Sequence, residues 1–394
     1  MDNVAKFCKT LIKLYKNKKS GIHEPHLDNL DIKYTKSCIN SNYVSNISNY
    51  VEKFSNSLKR FTKSKYVIPL SSGTAALHIA LKTLGIDHKH EVLIPSFTFI
   101  ATANAVMYCN ANPHFVEIEE KSFGIDFDKL DKYLQSNKFK KKNGYLINKK
   151  TKKIITTIIP VHVLGNSVDI KGLIKISKKY KLNIVEDASG SMGTFYNNQH
   201  LGTFGKFGIL SFNGNKTITT GGGGALLCQN KNLAKKALHL SNVAKVKSKH
   251  IYYHDKVGYN YLMPGINAAL GLAQLKKLPS ILKIKKKIFH HYLLNLSSYN
   301  FLKIIKPRKE VKSNYWINTY ILSNMNKNFK SKIINILLKK KFGAKSAWMP
   351  LHKLKIYSKS EKMSLTKTNN IFDRLITLPS GTNLILNKNY KSPK

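Results

Sequence analysis

Between residues 66 and 228, short apolar runs alternate with stretches whose apolar residues recur every three or four positions. That alternation is the signature of a parallel sheet covered by helices. The strand candidates are 66–69, 91–94, 114–118, 154–160, 182–186, 207–212 and 225–228. A helix is predicted over 74–84, where Ala76, Leu77, Ala80, Leu81 and Leu84 share one face. Another is predicted over 170–181, behind Asp169 as its N-cap. Beyond about residue 275 the pattern changes to Lys-rich amphipathic helices over 281–296 and 330–341, with a strand-like piece at 315–322. The pattern therefore predicts three parts: an N-terminal helical extension over 1–22, a large α/β domain over 23–275, and a smaller α+β domain over 276–394. In the first part, Lys6, Lys9 and Lys13 interrupt every apolar run. It reads as a short amphipathic helix, not a targeting signal. The tail after Asn387 reads as frayed.

Composition narrows the picture. The 394 residues include 67 Lys+Arg and 20 Asp+Glu, for a net charge of +47, and 42% are hydrophobic. That apolar share is enough for a sizeable core. No window approaches the roughly 18 uncharged apolar residues of a membrane span, which predicts a soluble chain. A charge of +47 raises nucleic-acid binding, but only Arg60, Arg308 and Arg374 are arginines. Phosphate and base-edge recognition favours the bidentate guanidinium, so no specific nucleic-acid partner is expected. The densest basic run, 138–153, reads as a solvated hairpin or loop. Cys8, Cys38, Cys109 and Cys228 form no Cys-x-x-Cys pair and no metal-ligand spacing. A reducing, cytoplasmic setting and no metal are expected.

Three stretches could carry chemistry. Ser71-Ser72-Gly73-Thr74-Ala75 follows a strand and opens a helix, a turn whose free N–H groups and helix dipole suit an anion. Alone, it is equally a plain N-cap. Glu186-Asp187 ends an otherwise apolar strand, where open α/β sheets place ligands, and a carboxylate there can hold a cationic ring nitrogen. It could as well cap a helix or form an ion pair. Lys216 then stands alone between an apolar strand and the glycines 221–224. An amine so placed is suited to a lowered pKa and to nucleophilic use. A nucleotide-hydrolase phosphate loop fails, because Asn215 separates Gly214 from Lys216. Nor do Gly202, Gly205 and Gly208 have dinucleotide-binding spacing.

Taken in order, an anion turn, an acidic strand end and a lysine 29 positions later resemble the DegT/DnrJ/EryC1/StrS sugar aminotransferases. The resemblance runs from His23-Glu24-Pro25 and Tyr43-Val44-Ser45 to Trp348-Met-Pro350-Leu-His352 and Leu378-Pro379-Ser380. Its middle is most similar to the LegC-like branch, through 95–105, Pro160-Val-His162, 211–216 and 257–261. It implies a fold type I enzyme dependent on pyridoxal 5′-phosphate (PLP), with a mostly parallel seven-stranded sheet. By resemblance, Lys216 forms the covalent link to the cofactor and shuttles the proton, and Asp187 pairs with the pyridine nitrogen. Phe99 matches an aromatic residue against the ring face, though a core Phe would look the same. Gly73, Thr74 and Ser211 match the phosphate cup. Asn260 matches a residue reaching the phosphate from the neighbouring subunit, which implies a homodimer with shared sites. His23, Glu24, His162, Tyr259 and His352 are the candidates for substrate contacts.

Two departures stand out. Gly190 replaces the His, Gln or Glu usual beside the cofactor, so that contact is missing or supplied from elsewhere. Leu262 stands where many LegC-like members have Arg. The activity implied is amino transfer from L-glutamate to the 4-keto group of an NDP-4-keto-6-deoxy-(N-acetyl)hexosamine, for surface polysaccharide or for diamino or nonulosonic sugars. The rivals are 3-amination, dehydration on the same fold, and a basic nucleic-acid-binding protein. Lys216 argues against dehydration, because the resembling dehydratases carry His at that position.

Overall fold

The computed structural model describes residues 3–16, 18–248, 250–323 and 327–386, so the predicted frayed tail lies outside the described residues. The large lobe is built on seven strands: β1 (Tyr66–Leu70), β2 (His90–Pro95), β3 (Asn112–Val116), β4 (Ile154–Ile158), β5 (Asn183–Asp187), β6 (Phe207–Ser211) and β7 (Gly224–Cys228). Among the described residues their order is β1-β7-β6-β5-β4-β2-β3. Only β7 runs against its neighbours, pairing antiparallel with both β1 and β6. The other six therefore end on the same edge of the sheet. Their interior positions are buried on both faces, which is why they read as continuous apolar runs without strict alternation.

The basic run 138–153 folds as a hairpin, Phe139–Lys142 with Tyr145–Asn148, laid against the first two residues of β4. Lys140, Lys141 and Lys142 face solvent while Leu146 is buried.

The smaller lobe has an antiparallel sheet of Leu302–Ile304, Asn318–Leu322 and Leu375–Leu378. Its core draws on both ends of the chain. Phe7 and Leu11 of the N-terminal helix Asn3–Leu14 pack with Ile288, Tyr292, Leu337, Tyr320 and Ile376. The N-terminal helix is thus built into this lobe.

One helix, Gly265–Leu296, joins the two lobes. Leu272, Leu278 and Ile281 pack on the large core, whereas Ile288, Tyr292 and Leu296 pack on the small one. The sequence division at 275/276 falls inside it. Pro279 lacks the N–H of a helical position, yet the helix continues through it. A third apolar cluster closes the junction of the lobes with Phe97, Phe123, Trp316, Ile321 and Leu375. Among the described residues no helix is long and apolar enough to cross a membrane.

Candidate active site

The C-terminal ends of β1, β5 and β6 converge on one cleft. After β1, Ser72 caps the helix Gly73–Thr83 by accepting from the Ala75 N–H at 3.0 Å. Gly73 is then closely packed. A Cβ there would lie 3.1 Å from Ser211 Cβ and 3.3 Å from Ser189 Oγ. Gly224 is the more strictly constrained, since its Cβ would sit 2.5 Å from the Ser72 carbonyl carbon and the Gly73 nitrogen. These glycines bring a helix N-terminus against the hydroxyls of Ser189 and Ser211, with Thr74 in the first turn. N–H groups, hydroxyls and a positive dipole end make an anion cradle.

Glu186 and Asp187 are neighbours on β5 and so point to opposite faces. Glu186 is saturated. It accepts from the backbone N–H groups of Gly202 (2.9 Å), Phe204 (2.6 Å) and Gly205 (2.8 Å), and pairs with His162 Nε2 at 3.1 Å. The His162 Nδ1 in turn accepts from the Val168 N–H at 3.3 Å, and neither side chain has exposed area. Contrary to its expected role, His162 therefore has no group left for a substrate; it is a buried hydrogen-bond partner of Glu186. Asp187 is held more sparingly, by Thr102 Oγ1 at 2.8 Å and the Ser189 N–H at 3.2 Å.

Lys216 follows β6 in a tight turn closed by its own N–H to the Asn213 carbonyl at 3.0 Å. Burial lowers the pKa of its amine to about 8, with the charge of Asp187 opposing the shift. Its Nζ lies 4.1 Å from the centroid of the Trp316 ring. The same indole covers Gly190, where a Cβ would be 2.5 Å from ring atoms Cε3 and Cζ3. Trp316, from the junction of the lobes, thus fills the space that a side chain at 190 would take. Sequence reasoning passed over Trp316. The available signal was Gly190 itself, because a missing side chain in a packed cleft needs a replacement.

The remaining candidates divide. His23 sits beside this group: its pKa is lowered well below the usual value by burial first, then by the charges of Lys285 and Lys216, with the Asn215 backbone opposing. Phe99 is 55% exposed, so it is no core residue; its ring lies 6.3 Å from that of Trp348. Asn260 is exposed, in a segment where Ile251, Tyr252 and Val257 are also bare. Glu24 accepts from the Gly21 N–H and from Ser20 Oγ, which ties its carboxylate to its own loop. Tyr259 stacks on Tyr261 and meets His78 edge-on. His352 is bound through Nδ1 to Ser96 Oγ at 2.7 Å, and its pKa is lowered mainly by burial. Among the described residues no cluster of three or more His, Cys, Asp or Glu could hold a metal.

The donor set fits PLP: an anion cradle at the helix N-terminus, a buried carboxylate suited to a ring nitrogen, and an amine whose pKa is lowered to about 8. Comparison with known proteins agrees. The DegT/DnrJ/EryC1/StrS aminotransferase family profile matches residues 25–389. The GDP-perosamine synthase of Vibrio cholerae is 33% identical over 364 residues, 92% of this chain and 94% of that protein. The UDP-4-amino-4,6-dideoxy-N-acetyl-beta-L-altrosamine transaminase of Campylobacter jejuni (strain 81-176) is 30% identical over 318 residues, 80% of each. Among solved structures, Helicobacter pylori PseC, an aminotransferase involved in the biosynthesis of pseudoaminic acid, superposes with a TM-score of 0.84 at 24% identity, covering 94% of this chain and 95% of that one. On the strength of the profile match and these relatives, the chain belongs to the DegT/DnrJ/EryC1/StrS aminotransferase family, whose cofactor is PLP.

Proposed function

We infer that this enzyme transfers an amino group from L-glutamate to the 4-keto group of an NDP-4-keto-6-deoxy-(N-acetyl)hexosamine, in the synthesis of amino sugars for surface polysaccharide. The observation that carries this reading is the Lys216 amine, with a pKa near 8, in one cleft with Asp187 and the anion cradle. The names of the relatives support a nucleotide-sugar acceptor.

When bound, PLP supplies an electrophilic carbon and a ring that accepts an electron pair. The protein's part is holding and proton movement. Gly73, Thr74 and Ser211, with Ser189, would hold the phosphate. Asp187, oriented by Thr102, would keep the ring nitrogen protonated. Phe99 would supply an aromatic face to the ring. Lys216 Nζ takes the proton from the donor's Cα and returns one to the sugar carbon; an amine pKa near 8 leaves a useful neutral fraction for that work. His23, beside Lys216, is the best supported substrate contact of those expected. Glu24, Tyr259 and His352 stay as secondary candidates. Asn260 would serve the cradle of a second copy, and the bare Ile251, Tyr252 and Val257 around it support a homodimer.

The test is product analysis. Purified enzyme with PLP and L-glutamate is offered UDP- and GDP-linked 4-keto-6-deoxy sugars, and the product is read by NMR. A 4-amino sugar with stoichiometric 2-oxoglutarate is expected. A 3-amino product, or none from any 4-keto sugar, overturns the reading.

A further inference from the structure

Trp316 is held at three points. Its backbone N–H donates to Asn314 Oδ1 at 3.0 Å, its carbonyl accepts from Lys285 Nζ at 3.0 Å, and its ring Nε1 donates to the Asn215 carbonyl at 2.9 Å. Asn314 is anchored too, donating through Nδ2 to the carbonyls of Gly190 (2.8 Å) and Met192 (3.0 Å). Both glycines facing this segment make room for it. A Cβ at Gly190 would strike the indole, and one at Gly165 would lie 2.5 Å from Asn314 Oδ1. The indole is therefore a fixed wall whose open face meets the Lys216 amine.

We propose that Trp316 is a positioning residue that replaces the side chain absent at Gly190 and holds the free Lys216 amine against its ring face, aimed into the cofactor cleft. The inference rests on the reading of Lys216 given above. A cation over an indole is attracted to the ring's negative face, and a fixed amine reaches a bound aldehyde more often than a mobile one.

Three readouts test this. The chain has two tryptophans. In a Trp348→Phe background, the emission of ligand-free protein comes from Trp316 alone. An ammonium against the ring quenches it, so Lys216→Met should brighten it; unchanged emission overturns the contact. The second readout is the rate at which PLP is captured at Lys216, trapped by borohydride and measured by peptide mass. Trp316→Leu keeps an apolar side chain but removes the π face and part of the bulk, and should slow capture roughly fivefold to tenfold. Trp316→Phe restores a face and should stay within about threefold of wild type. Equal rates for Leu and Phe reduce Trp316 to a space filler and overturn the proposal.

Third, Gly190→Ala should slow capture in the parent but cost little more in Trp316→Leu, because the two sites share one space. Additive losses would contradict the exchange. A wild-type protein that captures no PLP would sink the functional reading; the emission result would still decide the contact.

Discussion

Lys216 in the cleft and Lys285 at the junction of the lobes are two lysines whose charge burial disfavours, and their surroundings suit them to different work. Lys216 has a pKa lowered to about 8, and Lys285 one lowered to about 7, both by burial. The difference lies in what surrounds the nitrogen. Lys285 donates to the carbonyls of Trp316 (3.0 Å) and Ser380 (2.8 Å), with Tyr315 at 3.5 Å, and has no exposure. Its donors are spent on joining the long helix Gly265–Leu296 to the small lobe. Lys216 Nζ instead rests 4.1 Å from the centre of a ring face. A depressed lysine pKa thus marks burial, and the surroundings of the nitrogen separate a structural amine from the one we propose as reactive.

The carboxylates of β5 repeat the contrast. Glu186 takes three backbone N–H groups and His162; Asp187 takes two donors.

Substitutions sharpen these two contrasts in order of expected effect. Lys216→Ala should abolish transamination while the protein keeps its circular-dichroism spectrum and melting cooperativity; undiminished turnover would place the chemistry elsewhere. Asp187→Asn should lower kcat about 10²–10³-fold, the size of other removals of a preorganised charge, with little change in melting. Glu186→Gln should do the reverse. It puts an amide N–H₂ among backbone donors and should cost about 3 kcal/mol in urea unfolding, before any direct effect on rate.

Lys285→Met should be the mildest at neutral pH, and its signature is pH dependence. The native pKa of about 7 lies below the ordinary 10.5, so between these values the unfolded chain binds the extra proton. Wild-type stability should rise with pH across that window relative to Lys285→Met, and the penalty should be complete below about pH 7. Parallel stability curves for the two proteins would show that Lys285 is protonated in the fold.

Much of this architecture could be read from the chain. The apolar runs that became β1–β7 are fully buried strands, and their lengths and flanking glycines separate them from helices. The cradle, Asp187 and Lys216 were also within reach, since each sits at a strand end where the pattern changes. What escaped depended on partners distant in sequence. His162 looked like a substrate ligand because nothing near it shows that Glu186 is on the opposite face from Asp187. Trp316 lies 100 positions after Lys216 and reads as an ordinary aromatic within the strand-like piece 315–322. Of the helix Gly265–Leu296 the pattern predicts only 281–296; Pro279 lies inside the helix, and its local cost is outweighed by packing against both cores.

The visible absorption spectrum of the protein with PLP, taken before and after L-glutamate is added, reaches furthest. A yellow band that bleaches with L-glutamate, and that Lys216→Ala does not form, is the expected result. A band identical in Lys216→Ala, or one indifferent to every amino donor, would contradict the assignment of Lys216 and of amino transfer to this cleft.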